Sequence, residues 1–482
     1  MTDTRPEATT PLLDAAALQL AGRTPPAAFR IRLKDGRELQ LIRLLRVLPG
    51  KRVVGEAVLD GEHVLAKLFV DKRSARYWLR EHAGIAALAK AGIPTPAARL
   101  AEALPDGGHV LLTHFLGGAR SLLEIWQSLP DTRPAATDAS EVIATAFALL
   151  GQLHAAGLTH SDLHFGNFLQ HENRLLLIDG DAVQAHGEPP LPSAATARDL
   201  AMLIAQLPRT WDGALAPLLE AYRHNNPHMP STTEQAEALK TALAWRLRDY
   251  LDKTGRDCSL FSVTTRFRRF EAVLRSERNR LVPLLDNIDA SIEAGTLLKR
   301  GNTCTVARVL IGAQPVVVKR YNLKNLRHAL SRLWRPSRGW HSWREGHRLR
   351  LFGIPTPTPL ALVEERWGPL RGRAWLITEH CPGIDLLTHL DPDSAPPPAE
   401  ASALHILFAT LYRERISHGD LKATNLLWDG KDVQLIDLDA MQQHRSDAAH
   451  KRAWQRDRKR LLRNWPPDCA LSGWLDAHLP AG

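Results

Sequence analysis

Asp420, Asn425 and Asp437 stand at spacings of 5 and 12 residues, and Asp162, Asn167 and Asp179 repeat both spacings. A loop carrying Asp-x4-Asn, followed by a strand that ends in Asp, can converge two carboxylates and an amide oxygen. That donor set suits Mg2+, which prefers oxygen ligands, few carboxylates and phosphates from its substrate. The first Asp of each set is then free to accept a proton from a hydroxyl nucleophile. A lysine precedes each set in an apolar strand: Lys67 in VLAKLF and Lys319 in VVVKRY. An ammonium there can hold the α/β-phosphates of a nucleotide if a helix glutamate pins it, and Glu81 and Glu345 are the candidates. Phosphoryl transfer needs little beyond such positioning and charge neutralisation. Each residue alone has an ordinary explanation, since a strand lysine is usually at the surface and a strand-end Asp usually a cap. The whole set, in one order and present twice, points to phosphotransfer.

The duplication extends beyond these residues. LTHSDLHFGNFLQHENRLLLIDGDAV (158–183) aligns without gaps on ISHGDLKATNLLWDGKDVQLIDLDAM (416–441), with ten of 26 positions identical at an offset of 258. The same offset relates Arg198-Asp199 to Arg456-Asp457, and GIPTP occurs at both 92–96 and 353–357. A period this long means two copies of a whole domain rather than a solenoid. Strands are expected at 40–48, 52–59 and 63–70 and again at 296–299, 304–311 and 315–321. A helix follows in each copy (74–90; about 340–352), ended by Gly and Ile-Pro. Then come a strand (109–115; 374–380), a helix (139–156; 399–414), the polar motif, and a short strand (174–178; 433–436). Stretch 233–284 reads as helical. The expected division is an N-terminal extension (1–25), a first domain with its helical connection (26–285) and a second domain (286–482).

The 482 residues are 44% hydrophobic and 24% charged, which fits a globular chain and excludes collagen, coiled coil or general disorder. No run of 18 apolar residues predicts a transmembrane helix, and MTDTRPEATT does not read as a signal peptide. Cys258, Cys304, Cys381 and Cys469 lie far apart without zinc spacing, so a reduced cytosolic setting is the simplest expectation. The net charge of +10 is uneven. Residues 299–350 hold 13 Lys/Arg against Glu345 alone, and 451–463 hold seven against Asp457. Local patches of this kind imply a polyanionic partner.

HGDLKATN with IDLD, and HSDLHFGN with IDGD, resemble the catalytic and metal-binding loops of the protein-kinase-like superfamily. Within it the chain resembles the bacterial lipopolysaccharide core kinase family, the Kdo/heptose kinase group that includes InaA-like proteins. The stretch LKRGNTCTVARVL…VVVKRYN…SWREGHRLRLFGIPTP…HGDLKATNLL…LIDLDAM…RDRKRLLRNW carries that likeness over about 298–465, and the first copy carries it more weakly over about 30–230. The resemblance implies an α+β fold of two tandem protein-kinase-like domains, each with a small β-rich N-lobe and a mainly helical C-lobe. It implies ATP and Mg2+ as cofactors. Lys319 and Glu345 would be the ATP-binding lysine and its partner, Asp420 the catalytic base, and Asn425 and Asp437 the metal ligands. Gly301, in the turn 300–305, would cover the phosphates. Thr378 and Glu379, in the segment up to Cys381, would form the adenine hinge, and Lys422 would contact the transferred phosphate. The first copy would supply Lys67, Glu81, Asp162, Asn167 and Asp179, with His164 in place of Lys422. Asp199 and Asp457 would brace the loops from a helix, and Asp181 and Asp439 would cap the turn or add a metal contact.

The chain departs from protein kinases at the metal loop, where Asp-Phe-Gly is replaced by Asp-Gly-Asp and Asp-Leu-Asp. Asp457 follows Asp439 by only 18 residues, which leaves little room for a peptide-binding activation segment. The basic segments LRHALSRLWRPSRGWHSWR and KRAWQRDRKRLLRNW interleave Trp with Arg/Lys. They suit an anionic membrane interface or the phosphates of a core glycolipid; a solvated helix face over packed Trp is the plainer alternative. No nucleic-acid-reading motif is present. The expected activity is an ATP-dependent phosphotransferase with an alcohol acceptor, phosphorylating heptose or Kdo of the lipopolysaccharide inner core. The enzyme would be cytoplasmic, peripheral on the inner-membrane face, with its oligomeric state open. A kinase of another small alcohol or aminoglycoside, or a scaffold with one pseudokinase copy, fits the same motifs.

Overall fold

The computed structural model describes residues 10–187, 189–322 and 336–481. The chain forms two compact units, Met1–Leu243 and Ala244–Gly482, and the boundary falls inside helix Thr232–Lys253.

In the first unit an antiparallel sheet runs, in spatial order, Phe29–Arg32, Glu38–Leu48, Arg52–Leu59, Glu62–Phe69, His109–His114 and Ala98–Ala103. The period of two along Glu62–Phe69 sends Val64, Ala66 and Leu68 into a core with Ile31, Leu39, Leu41 and Leu112. Leu65 and Lys67 therefore face the other way, into a cleft. Helix Ser74–Lys90 follows, stopped by Gly92 at φ 71° and by Pro94. The helical lobe packs Thr137–Ala155 with Ser193–Ile204 and Ala216–Asn225 around Phe147, Leu150, Leu153, Leu203 and Tyr222.

The second unit repeats this plan. Its sheet runs Phe261–Arg266, Arg269–Leu274, Pro359–Trp367, Leu370–Glu379, Gln314–Tyr321, Cys304–Ile311 and Thr296–Arg300. Val316 and Val318 enter the core, so Val317 and Lys319 face the cleft. Helices Pro398–Arg413, Asp447–Leu462 and Ala470–His478 surround Leu404, Leu407, Phe408, Trp454 and Leu475. Each unit is thus a β-rich lobe followed by a mainly helical one, the α+β arrangement expected for the protein-kinase-like superfamily.

Two expectations about organisation are corrected. Stretch 233–284 is not helical throughout: Phe261–Arg266 and Arg269–Leu274 form a hairpin that pairs with Pro359–Trp367. It buries Phe261, Phe270, Ala272 and Val273 in the second unit, so the boundary precedes the expected residue 285. The hairpin turn is Phe267-Arg268, without the Asn-Gly or Asp-Gly that marks a tight turn in sequence. Nor are residues 10–25 a separate extension. Leu12 bridges Arg30, and helix Ala15–Ala21 buries Ala15 and Leu18 against the first sheet.

The second unit also buries a histidine. His347 lies against Trp343 and Phe261, with Tyr250 OH at 3.2 Å from its Nδ1. Burial, helped by the Arg350 charge, pushes its pKa down from 6.5 to about 3. The unfolded chain therefore takes up a proton that the native state refuses. Stability should be complete above pH 6.5 and fall as the pH drops toward 3. His347→Phe should flatten that slope in a series of thermal melts, and an unchanged slope would dismiss this origin.

Candidate active sites

The polar loops of the two units are built alike. His160 Nε2 bonds the Ile178 carbonyl at 3.1 Å, and His418 Nε2 the Ile436 carbonyl at 2.9 Å. Asn167 Nδ2 donates to the Asp162 carbonyl (2.8 Å), and Asn425 Nδ2 to the Asp420 carbonyl (2.9 Å). Asp179 and Asp437 sit in left-handed backbone, at φ 71° and 61°, where each strand breaks into a 3-10 turn. Asp tolerates that conformation better than most side chains.

Both loops are braced from below, as expected. The buried Asp199 carboxylate accepts from His160 N at 3.0 Å. Asp457 accepts from His418 N at 2.6 Å and from Gly419 N at 3.0 Å. These are bonds to a charged acceptor, each contributing roughly 1.5–3 kcal/mol. Asp457→Asn should lower the stability of the second unit by about 2 kcal/mol. A denaturant titration reads this directly, and no change in midpoint would remove the bracing role.

The lysines differ sharply. In the first unit the Lys67 ammonium bonds the fully buried Glu81, whose Oε1 also accepts from Gly180 N (3.2 Å) while Oε2 accepts from Arg52 (3.4 Å). Lys67 and Arg52 outweigh the upward push of burial on Asp179 and hold its carboxyl below the usual range. In the second unit the expected Lys319–Glu345 pair does not form. Glu345 is taken by Arg348 one turn along the helix, at 2.8 Å. Lys319 Nζ instead donates to Asp437 (2.5 Å) and Asp439 (2.8 Å). Asp439 Oδ1 also accepts from Tyr321 OH and Ser342 Oγ, both at 2.8 Å, and Oδ2 accepts from Arg338. Burial alone would lower the Lys319 ammonium, but Tyr321, Asp439 and Asp437 beside it hold it raised and charged.

The reason is a difference of register. Glu81 stands eleven residues before Gly92; eleven before Gly353 stands Ser342, and Glu345 aligns with Gly84. A Cβ on Gly84 would lie 1.9 Å from the Gly180 carbonyl oxygen, so the first helix meets its metal loop there by backbone alone. The helix carboxylate of the first unit has become a serine in the second, and the loop carboxylate Asp439 supplies the charge. Counting back from GIPTP in both copies was the signal that exposes this. Asp181, the counterpart of Asp439, is paired instead with Arg80 at 3.1 Å.

Each cleft holds a cavity between its lobes. The second, about 410 Å3, is floored by Lys319, Asn425 and Asp437 and walled by Val306, Val317, Leu376 and Leu427, with Thr378–Cys381 along one edge. Its counterpart, about 380 Å3, takes in Lys67, Glu81, Asp179, Thr113 and Leu169. Gly301 is not among the residues lining the second cavity; its neighbours Lys299 and Cys304 are. Asp162 and Asp420 are not among the residues lining the two cavities, and their surroundings differ. Among the described residues the exposed Asp162 carboxylate has no hydrogen bond or ion pair. Asp420 is bonded by Lys422 at 3.1 Å and by Arg460, whose guanidinium also meets the Gly419 carbonyl at 3.1 Å. Burial would raise the Asp420 carboxyl, but Lys422 and Arg460 outweigh it and hold it below the ordinary range. At the offset of 258, Arg460 corresponds to Met202, and Lys422 to His164.

The tryptophans of the two basic segments are mostly interior. Trp343, Trp454 and Trp465 are buried, with Trp343 donating to the Thr254 carbonyl and Trp454 to the Pro480 carbonyl. Trp340 is half-buried against Phe270, and Trp334 lies outside the described residues. The four described indoles pack under the basic faces and are not placed for a headgroup layer. Among the described residues, no helix is long and apolar enough to cross a membrane.

No curated protein matches the chain. Among solved structures it is similar to WaaP in complex with acyl carrier protein, at 20% identity over 43% of this chain and 86% of that one, with a TM-score of 0.32. It is also similar to vaccinia related kinase 3, at 15% identity over 48% and 89%, with a TM-score of 0.28. The lipopolysaccharide kinase (Kdo/WaaP) family matches residues 64–210 and 299–476, a segment in each unit that carries the lysine, the polar loop and the strand-end Asp. Matched over more than half its length, the chain belongs to the lipopolysaccharide kinase (Kdo/WaaP) family.

Proposed function

We propose that the second unit transfers the γ-phosphate of ATP to a hydroxyl of heptose or Kdo in the lipopolysaccharide inner core. The observation that carries this is the gathering of Lys319, Asn425 and Asp437 around one cavity, with Asp420 five residues from Asn425 on a braced loop. The apolar walls around Val317 and Leu427 suit an adenine ring, and the edge at Thr378 and Glu379 suits its hydrogen bonds. Lys319 Nζ would exchange its bond to Asp437 for phosphate oxygens while keeping Asp439. That exchange frees Asp437, which with the Asn425 amide oxygen makes a donor set of one carboxylate and one amide, suited to Mg2+ beside a polyphosphate. The metal would neutralise charge on the β/γ oxygens. Asp420 orients the acceptor hydroxyl and takes its proton as the new P–O bond forms and ADP leaves. Lys422, two residues on, meets the transferred phosphoryl group.

The first unit has a corresponding set in Lys67, Asp162, Asn167 and Asp179, with Glu81 in place of Asp439 as the lysine's partner and a free Asp162, so it is a second candidate phosphotransfer site. A glycolipid acceptor would place the protein at the cytoplasmic face of the inner membrane as a peripheral enzyme. The test is incubation of the full chain with ATP, Mg2+ and core lipopolysaccharide, followed by mass spectrometry of the oligosaccharide. Added phosphate on heptose or Kdo is expected. Turnover of a soluble alcohol or aminoglycoside, with lipopolysaccharide left unmodified, would overturn the acceptor.

A further inference from the structure

Two hairpin tips meet at one end of the second unit's sheet. The turn Phe267-Arg268 joins the strands Phe261–Arg266 and Arg269–Leu274, and the turn after Trp367 joins Pro359–Trp367 to Leu370–Glu379. Backbone bonds stitch them together: Gly368 N donates to the Phe267 carbonyl and Arg366 N to the Arg268 carbonyl, both at 2.9 Å. Gly368 takes φ 58°, and a Cβ there would reach the Phe267 ring at 3.4 Å, so glycine lets the two turns close up. At this tip Phe267 is 66% exposed and Trp367 62%. Their rings lie edge to face at 6.2 Å, and the Arg268 guanidinium covers Trp367 at 5.0 Å. The Trp367 indole N–H has no hydrogen-bond partner among the described residues.

The tip is cationic as well as apolar. Residues 266–269 and 366–373 contain six arginines and no acid. Glu271, Glu364 and Glu365 pair with Arg269, Arg366 and Arg373. Arg266 and Arg268 have no carboxylate partner among the described residues. Two exposed rings with uncompensated guanidiniums beside them match the layering of an anionic bilayer, where indoles sit at headgroup level and arginines meet phosphates. The first unit's counterpart turn, Leu104 to Gly108, carries Asp106 and no ring, and that unit's sheet lacks the added hairpin.

We infer that the paired tips, led by Phe267 and Trp367 with Arg266 and Arg268, insert into the headgroup layer of an anionic membrane and dock the second unit there. This deepens the proposed glycolipid-kinase reading and rests on it for its purpose. None of these residues lines the Lys319 cavity.

The full chain should co-sediment with vesicles of phosphatidylglycerol and phosphatidylethanolamine but not with pure phosphatidylcholine. Phe267→Ala/Trp367→Ala, and separately Arg266→Gln/Arg268→Gln, should each weaken that binding by about tenfold. Trp367→Phe, which keeps the ring, should retain binding but lose the quenching of tryptophan emission by brominated lipid. Equal binding by wild type and both double variants, or no preference for anionic vesicles, overturns the inference. So does a wild-type dimer that the ring variant dissociates, because the tip would then be a contact between copies. Turnover on deacylated, soluble core oligosaccharide is measured in the same samples. Its persistence in the variants confines the defect to docking. Its absence from wild type that still binds vesicles would fault the kinase reading alone.

Discussion

Asp420→Asn should lower turnover on core lipopolysaccharide by about a thousandfold, with the KM for ATP nearly unchanged. The variant keeps the shape of the loop, because Asn425 and Arg460 bond the Asp420 and Gly419 carbonyls, which substitution does not touch. What is lost is the acceptor for the hydroxyl proton. The companion is Asp162→Asn in the first unit, whose loop keeps the Asn167 bond to the Asp162 carbonyl but has Met202 in place of Arg460 and a free carboxylate. Single-turnover measurements on both variants, with a count of phosphates on the product, separate the sites. If each removes a different phosphate, both units work. Full activity in Asp420→Asn with none in Asp162→Asn would move the main reaction to the first unit and leave the second as a pseudokinase partner.

The second large effect concerns the lysines. Asp439→Asn should reduce kcat/KM for ATP by about a hundredfold, since Lys319 loses the partner that holds it while Asp437 is engaged elsewhere. It should also cost about 2 kcal/mol of stability, because Arg338 and Lys319 each lose a buried anionic acceptor. Glu345→Gln is the discriminating control. Glu345 bonds Arg348 rather than Lys319, so kcat/KM should change by less than about twofold. In the first unit the assignment reverses, and Glu81→Gln should have the large effect. ATP-dependent kinetics on the three variants decides the matter; an inactive Glu345→Gln beside an active Asp439→Asn would restore the helix glutamate as the lysine's partner.

Much of this was legible in the residues. The two loops, the strand-end aspartates and the bracing Asp199 and Asp457 recur at one offset of 258, the strand lysines at 252, and in each unit the lysine and the strand-end Asp line one cavity. Alternation along VLAKLF and VVVKRY even gives the face on which each lysine lies. Glu345 misled because it is the one acid of its basic helix, and a carboxylate near the right place is easily taken for the right one. Three residues on a helix turn a side chain from one face nearly back to the same face, so only the count from a fixed landmark separates Ser342 from Glu345. The hairpin Phe261–Leu274 was hidden for another reason. Its turn has no glycine or asparagine, and its arginines mask the alternation of Phe261, Val263 and Thr265 that a strand requires. The tryptophans near 340 and 454 carried real information about burial, but sequence cannot tell a ring under a charged face from one standing above it.

The change of partner for the lysine moves its anchor from a helix to a loop. A helix that carries the charge partner can swing outward and withdraw it, which is how kinases of the Lys–Glu type are switched off. The first unit keeps that lever, because Glu81 rides on helix Ser74–Lys90. In the second unit the partner rides on the same turn as Asp437, only two residues away. Displacing helix Arg338–Leu351 would release Ser342 and Arg338 from Asp439 but leave the lysine held. Of the two lysines, the first is held from a helix and the second from the turn that carries Asp437 itself.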